Sequence, residues 1–259
     1  MKITTAYFSA TYTTRQIVRE ITACLTDNGE EFDLTNEGPS FDIQIPDEDL
    51  LIVGIPVYAG RVPAMAVERV RRFKGSNTPA MAVAVYGNRD YDDALVELYD
   101  ILTENGFKVV SAGAFIAQHS IFPKVGENRP DASDIKVIKQ FAEQSETLLR
   151  EGFGSIQISG NRPYKVPGAI PIWPTGSSSC KHCSKCVQLC PVGAIPSDDP
   201  CGVDKEKCIK CGRCIVVCPS HSRAFRGDIY EQASEKFNQA FAVRREPELF
   251  YAASKGIKV

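Results

Sequence analysis

The sequence predicts an α/β protein, a doubly wound parallel sheet followed by a small α+β unit rich in cysteine. Three observations carry this prediction. Apolar runs alternate with amphipathic stretches through roughly the first 150 residues, the pattern of a parallel sheet with helices on both faces. The alternation stops at a segment crowded with proline and glycine, residues 157–179. Of the ten cysteines, only Cys24 lies outside the C-terminal third.

The alternation reads in chain order. Residues 2–10, KITTAYFSA, form a short strand that ends in small and hydroxyl side chains. Residues 13–29 form an amphipathic helix stopped at Asn28-Gly29. Residues 50–58, LLIVGIPVY, are a continuous apolar run, as a strand buried on both faces requires. A helix over 64–73 leads to a second buried strand over 80–87. A helix over 92–106 ends at glycine, a strand covers 108–117, and a long helix covers 132–152. Crossovers in such a sheet are right-handed, and its ligand binds beyond the carboxyl ends of the strands, at the switch point.

Composition narrows the function. Hydrophobic residues make up 43% and charged residues 24% of 259, an ordinary soluble profile with chain enough for a full core. The formal net charge of −2 favours neither nucleic acid nor an anionic membrane. No run reaches the roughly 18 apolar residues of a membrane span. The opening MKITTAYFSA has no signal-peptide pattern, so a cytoplasmic protein is expected. In that reducing compartment, clustered cysteines serve metals or redox chemistry rather than disulfides.

Three loops fall at one end of the expected sheet. In the first, Ser9, Thr11, Thr13 and Thr14 crowd the start of a helix. Hydroxyls and free amides there suit a phosphate, and four hydroxyls exceed what one N-cap needs. The second runs Pro56-Val57-Tyr58-Ala59-Gly60, with an aromatic ring to lie against a flat ligand and small residues for close approach. The third holds Tyr86, Gly87, Asn88, Arg89, Tyr91 and Asp92: Tyr91 to cover a second ring face, the Gly87 and Asn88 amides to bond a ring edge. Asp90, Asp92 and Asp93 are expected to cap the following helix.

The pattern C-x2-C-x2-C-x3-C-P occurs twice, at 180–191 and 208–219. Two-residue gaps let three thiolates from one tight loop converge on a compact iron–sulfur cube. Zinc ribbons use two C-x2-C pairs across a long loop, which these duplicated triplets do not match. Cys24 falls on the apolar face Ile17–Ile21–Leu25 and reads as core. Cys201, outside both patterns, reads as a non-ligand, and His182 and His221 as residues of the surface or of the shell behind the ligands.

Residues 177–226, including GVDKEKCIKCGRC, resemble a bacterial-type two-cluster ferredoxin, and residues 1–155 resemble the flavodoxin family. The whole chain resembles flavodoxin–ferredoxin fusion proteins, with 156–176 as connector and 227–259 as a helix and tail. The ferredoxin resemblance implies two [4Fe–4S] clusters with crossed ligands: Cys180, Cys183, Cys186 and Cys218 for one; Cys208, Cys211, Cys214 and Cys190 for the other. The flavodoxin resemblance implies FMN on the three loops. That family's phosphate loop runs Ser/Thr-x-Thr-Gly-x-Thr; here Tyr12 stands at the glycine, a side chain that disfavours positive φ.

These readings imply an intracellular electron-transfer protein serving redox protein partners. Two alternatives stay open: a flavin-dependent reductase of a small molecule, and a docking module without FMN. No G-x-G-x-x-G follows a strand, so no separate dinucleotide site is expected.

Overall fold

The computed structural model describes residues 1–255. The chain runs β1 (Ile3–Tyr7), α1 (Thr13–Leu25), β2 (Glu30–Asp33), β3 (Ile43–Gln44), β4 (Leu50–Pro56), α2 (Ala64–Val70), β5 (Phe73–Lys74), β6 (Thr78–Tyr86), α3 (Ala94–Glu104), β7 (Phe107–Ile116) and α4 (Ala132–Glu151). It continues through β8 (Pro174–Thr175), α5 (Lys185–Gln188), α6 (Arg213–Val216), β9 (Ala224–Phe225), α7 (Asp228–Ala240) and β10 (Glu248–Tyr251).

The main sheet has the order β10-β7-β6-β4-β1-β2. Strands β1, β2, β4, β6 and β7 are mutually parallel. Counted in chain order, these strands lie 2-1-3-4-5, the flavodoxin-like winding, whose switch point falls between β1 and β4. The apolar runs of β4 and β6 are buried almost throughout, because helices cover both faces. On one face α1 and α4 pack Ile17, Val18, Ile21, Ile138 and Phe141 onto Val83 and Phe115. On the other, Ala66, Val70, Leu95 and Leu98 of α2 and α3 cover Leu51, Val53 and Ala82. A Cβ at Gly54 would lie 2.3 Å from Val18 Cγ2, so α1 crosses β4 closely only because glycine stands there.

Several details depart from the sequence reading. β2, a short exposed strand, was not foreseen. The C-terminal helix is α7, and the segment beyond it packs back on the sheet as a strand: β10 pairs antiparallel with β7 and forms the sheet edge. The chain thus leaves the sheet after α4, builds the cysteine-rich unit and returns. Cys24 is exposed rather than core: the last turn of α1 brings it beside Lys139 and Glu143 of α4. Asp93 does not cap α3; its carboxylate accepts from Asn161 N at 2.7 Å and Lys165 N at 2.6 Å, fastening the proline-rich segment to the sheet unit. Further along that segment Ile172 is buried against Phe122, Val125 and Phe225. Trp173 Nε1 donates to Lys205 O at 3.1 Å. Among the described residues no helix is long and apolar enough to cross a membrane.

Candidate functional site

The two cysteine motifs fold alike. His182 and Ser184 in the first, and Lys210 and Gly212 in the second, hold positive φ at matching steps, as do Gly193 and His221 past the last cysteines. These bends aim backbone amides at sulfur. His182 N donates to Cys180 Sγ at 3.4 Å and Ala194 N to Cys190 Sγ at 3.3 Å. The Lys210 and Ser222 amides do the same for Cys208 and Cys218. His182 and His221 are therefore exposed turn residues, positioned by their backbones.

Cys180, Cys183, Cys186 and Cys218 line one small cavity, together with Ser220 and Ser222. Cys208, Cys211 and Cys214 lie near enough to Cys190 for its charge to raise their pKa. The fold thus gathers the cysteines in two groups, each with three from one motif and one from the other. Among the described residues no three His, Cys, Asp or Glu side chains converge on a single-ion site. Burial pushes the Cys211 thiol up to about 12 and that of Cys214 up to about 11. Burial also opposes the Cys218 thiolate. There, bonds from the Ser222 and Ser220 hydroxyls and the Arg223 and Ser222 amides win, and its pKa falls to about 6. Cys201 sits beside Cys180 as a free thiol, close enough to hydrogen-bond to its sulfur.

The second motif is seated on the sheet's strand ends. Cys211 shares an apolar cluster with Phe8, Ala10 and Tyr58. Burial, and then Cys211 nearby, hold the Tyr58 phenol well above its ordinary pKa. A Cβ at Gly212 would lie 3.3 Å from Thr11 Cγ2 and 3.5 Å from Ser120 O. The Arg213 guanidinium lies 4.7 Å from the Tyr12 ring centroid, and its Nη1 donates to Ala10 O at 3.3 Å.

In the first loop Tyr12 has φ 70°, ψ −11°, the left-handed conformation glycine adopts freely. That costs about 1–2 kcal/mol for a non-glycine residue. The guanidiniums of Arg15 and Arg213, each 4.7 Å from the ring centroid, offset roughly 0.5–1 kcal/mol apiece. Ser9 Oγ accepts from Arg15 N at 3.0 Å, and Ser9 N donates to Thr35 Oγ1 at 2.8 Å. Thr14 is buried, and Thr11 and Thr13 are half-buried. In the second loop Pro56, Val57 and Tyr58 are half-buried; Ala59 and Gly60 turn the chain with φ 52° and 85°.

The third loop is committed elsewhere. Asn88 Nδ2 donates to Phe241 O at 3.0 Å and Val243 O at 2.9 Å, and its Oδ1 accepts from Arg245 N at 3.0 Å. Arg89 pairs with Asp92, which also pairs with Lys165 at 3.0 Å. Tyr91 is 5% exposed, packed on Tyr86, and offers no open ring face. Tyr86 is buried with its hydroxyl unpartnered, and Gly87 packs under the His119 ring.

FMN fits this arrangement at its phosphate end. The left-handed turn at Tyr12 and the loop hydroxyls suit a phosphate, and Arg213, with its buried, unpartnered Nε, lies against Ala10 and Tyr12 of the same loop. At the ring end Tyr58 remains in place, whereas the side chains of Asn88, Arg89, Tyr91 and Asp92 do not face a ligand. Arg213, Ser120 and Glu248 were missed in the sequence. Arg213 lies inside a motif read for its cysteines, and no local pattern ties it to Ala10.

Two family models, each described as a 4Fe-4S binding domain, match residues 180–194 and 202–225. No curated protein matches in sequence. Among solved structures, Streptococcus pneumonia TIGR4 flavodoxin is 18% identical with a TM-score of 0.40, covering 57% of this chain and 99% of its own. Fusobacterium nucleatum flavodoxin bound to flavin mononucleotide is 19% identical with a TM-score of 0.39, covering 56% and 97%. An apo NADH:FMN oxidoreductase (EMOB) is 15% identical with a TM-score of 0.43, covering 56% and 88%. The fold assignment rests on the strand order; the iron–sulfur assignment rests on the matched motifs. A flavodoxin-like sheet and a [4Fe–4S]-binding unit are joined in one chain.

Proposed function

We propose that this protein carries electrons between an FMN at the switch point and two [4Fe–4S] clusters, exchanging them with redox protein partners. The observation that carries the reading is the packing of Cys211 beside Tyr58, close to the strand ends where a flavin would bind in such a sheet. FMN takes electrons singly or in pairs and a cluster moves one at a time, so the cofactors supply the redox chemistry. The chain's part is to hold them close and exclude water. Ser9, Thr11, Thr13 and Thr14 would bind the phosphate with the first amides of α1. Tyr58, held neutral by burial, would lie against the ring. Cys180, Cys183, Cys186 and Cys218 would ligate one cluster, and Cys208, Cys211, Cys214 and Cys190 the other.

The reading is of a cytoplasmic carrier. This reading gives the switch point of the main sheet to FMN, and no G-x-G-x-x-G follows a strand. Nicotinamide alone should therefore reduce it slowly. Anaerobic stopped flow with excess NADH or NADPH is the test, followed by an added low-potential ferredoxin or reductase. Slow reduction by nicotinamide and rapid reduction by protein support the carrier. Fast saturable reduction by either nicotinamide, with turnover on a small acceptor, would instead make it a reductase.

A further inference from the structure

Arg213 belongs to the cysteine unit by sequence, yet its side chain is turned to the sheet. It is 6% exposed, and its guanidinium lies over the Tyr12 ring. Its Nη1 donates to Ala10 O at 3.3 Å, and its Nε is buried without a hydrogen-bond partner. Among the described residues no carboxylate pairs with it. The other two buried arginines have more partners, although the Nε of Arg223 is likewise buried without one. Arg129 has Asp134 and the Arg245 carbonyl; Arg223 has the carbonyls of Pro174, Pro200 and Gly202. A buried guanidinium held by one long bond is unfavourable unless an anion completes it.

The side chain is aimed at the loop that opens α1, between Ser9 and Thr14. That loop offers hydroxyls, amides and the positive end of a helix dipole, but no side-chain charge of its own other than Arg15 on its rim. We propose that Arg213 completes this anion site, so that the cysteine unit contributes a ligand to the phosphate of FMN. The assignment rests on the FMN reading above. It makes Arg213 a specificity residue, favouring FMN over riboflavin only when the second motif is seated on the sheet. The rival account is that Arg213 only balances the negative charge of the cluster beside it.

The two accounts differ in a binding ratio. Full-length protein, prepared anaerobically with its clusters and stripped of flavin, is titrated with FMN and with riboflavin, and quenching of flavin fluorescence is read. Arg213→Ala should weaken FMN about ten- to a hundredfold, the loss of charge-assisted bonds to a phosphate, and leave riboflavin within about twofold. Arg213→Lys should fall between. Iron content checks the clusters in each variant; if the alanine variant loses them, Arg213→Lys and Arg213→Gln give the ratio. Equal weakening of both flavins, or of neither, overturns the assignment and leaves the FMN reading standing. Wild-type protein that binds neither flavin overturns both.

Discussion

The Tyr91 hydroxyl donates to Glu248 Oε2 at 2.6 Å, tying a loop at the strand ends to the strand that returns from the cysteine unit. Burial, then Glu248, hold this phenol well above its ordinary pKa. Tyr7 beside Glu31 and Tyr164 beside Asp100 are raised for the same two reasons, and burial pushes Tyr86 up to about 12.

An alkaline limit on stability follows. A phenol whose folded pKa exceeds its unfolded value contributes stability that is full below about pH 10 and lost as pH rises toward the folded value. Anaerobic urea midpoints should therefore stay nearly level from pH 8 to about pH 9.5 and fall between about pH 10 and pH 11.5. Tyr91→Phe should cost about 1 kcal/mol at pH 8, one hydrogen bond to a partly exposed carboxylate, and should lessen the alkaline loss. A midpoint unchanged across that range would contradict the argument.

Crossed ligation gives an asymmetric prediction. Cys218 lines the cavity with Cys180, Cys183 and Cys186, while the charges of Cys208, Cys211 and Cys214 are felt with that of Cys190. Cys218→Ser should damage the cluster on the first group and largely spare the other. Electron paramagnetic resonance of the reduced protein, with iron and sulfide counted, separates them. Selective loss from the group containing Cys208 would refute the crossing.

How much of this was legible depended on how local each feature is. The cysteine spacing is local, and so are the buried runs of β4 and β6, which declare a two-sided sheet without any tertiary information. β10 is a short stretch, ELFY, whose place at the sheet edge depends on β7 more than a hundred residues earlier. The third loop shows why position at a strand end does not decide a side chain's task. Tyr91 lies where a ring would be covered, but residues 241–248 return past it and bury it. Tyr12 shows the converse: the sequence argued against positive φ, and two arginines from separate parts of the chain sustain it. Cys24 kept helical phase with the core and still faces out, because apolar phase cannot tell where a helix outruns its cover.

Residues 241–245 are held by a buried network that should be costly to break. Arg129 donates from Nε to Asp134 Oδ2 at 2.8 Å and from Nη1 to Arg245 O at 2.6 Å; the pair is nearly inaccessible, with Arg244 at its edge. Asp134 also closes the capping box of α4 with Asp131. Arg129→Ala would strand Asp134, a loss of about 3–5 kcal/mol, toward the lower end because Arg244 remains. Arg129→Met with Asp134→Leu should lose less than Arg129→Met alone, since no buried charge is left unpaired, although the cap is forfeited at about 1 kcal/mol. Urea denaturation of the three variants decides; a double variant worse than the single would be evidence against this account.

Arg223 lies beside both cysteine groups: its charge acts on Cys186 of one and Cys214 of the other, and its backbone amide is near Cys218. It is 2% exposed and held by the carbonyls of Pro174 at 2.7 Å, Gly202 at 3.2 Å and Pro200. A fixed positive charge there favours the added electron on either cluster, so removing it should make both harder to reduce. At an effective dielectric near 20 a unit charge some 7 Å away acts with roughly 2 kcal/mol, and water at the rim reduces that to about 1–2 kcal/mol. For a one-electron couple this is about 40–90 mV. Arg223→Gln should lower both midpoint potentials by about that much, and Arg223→Lys, which keeps the charge, by much less. Potentiometric titration followed by electron paramagnetic resonance reads the shift, on variants that first show undiminished iron. Unchanged potentials in such a glutamine variant would mean that Arg223 only braces the carbonyls around it.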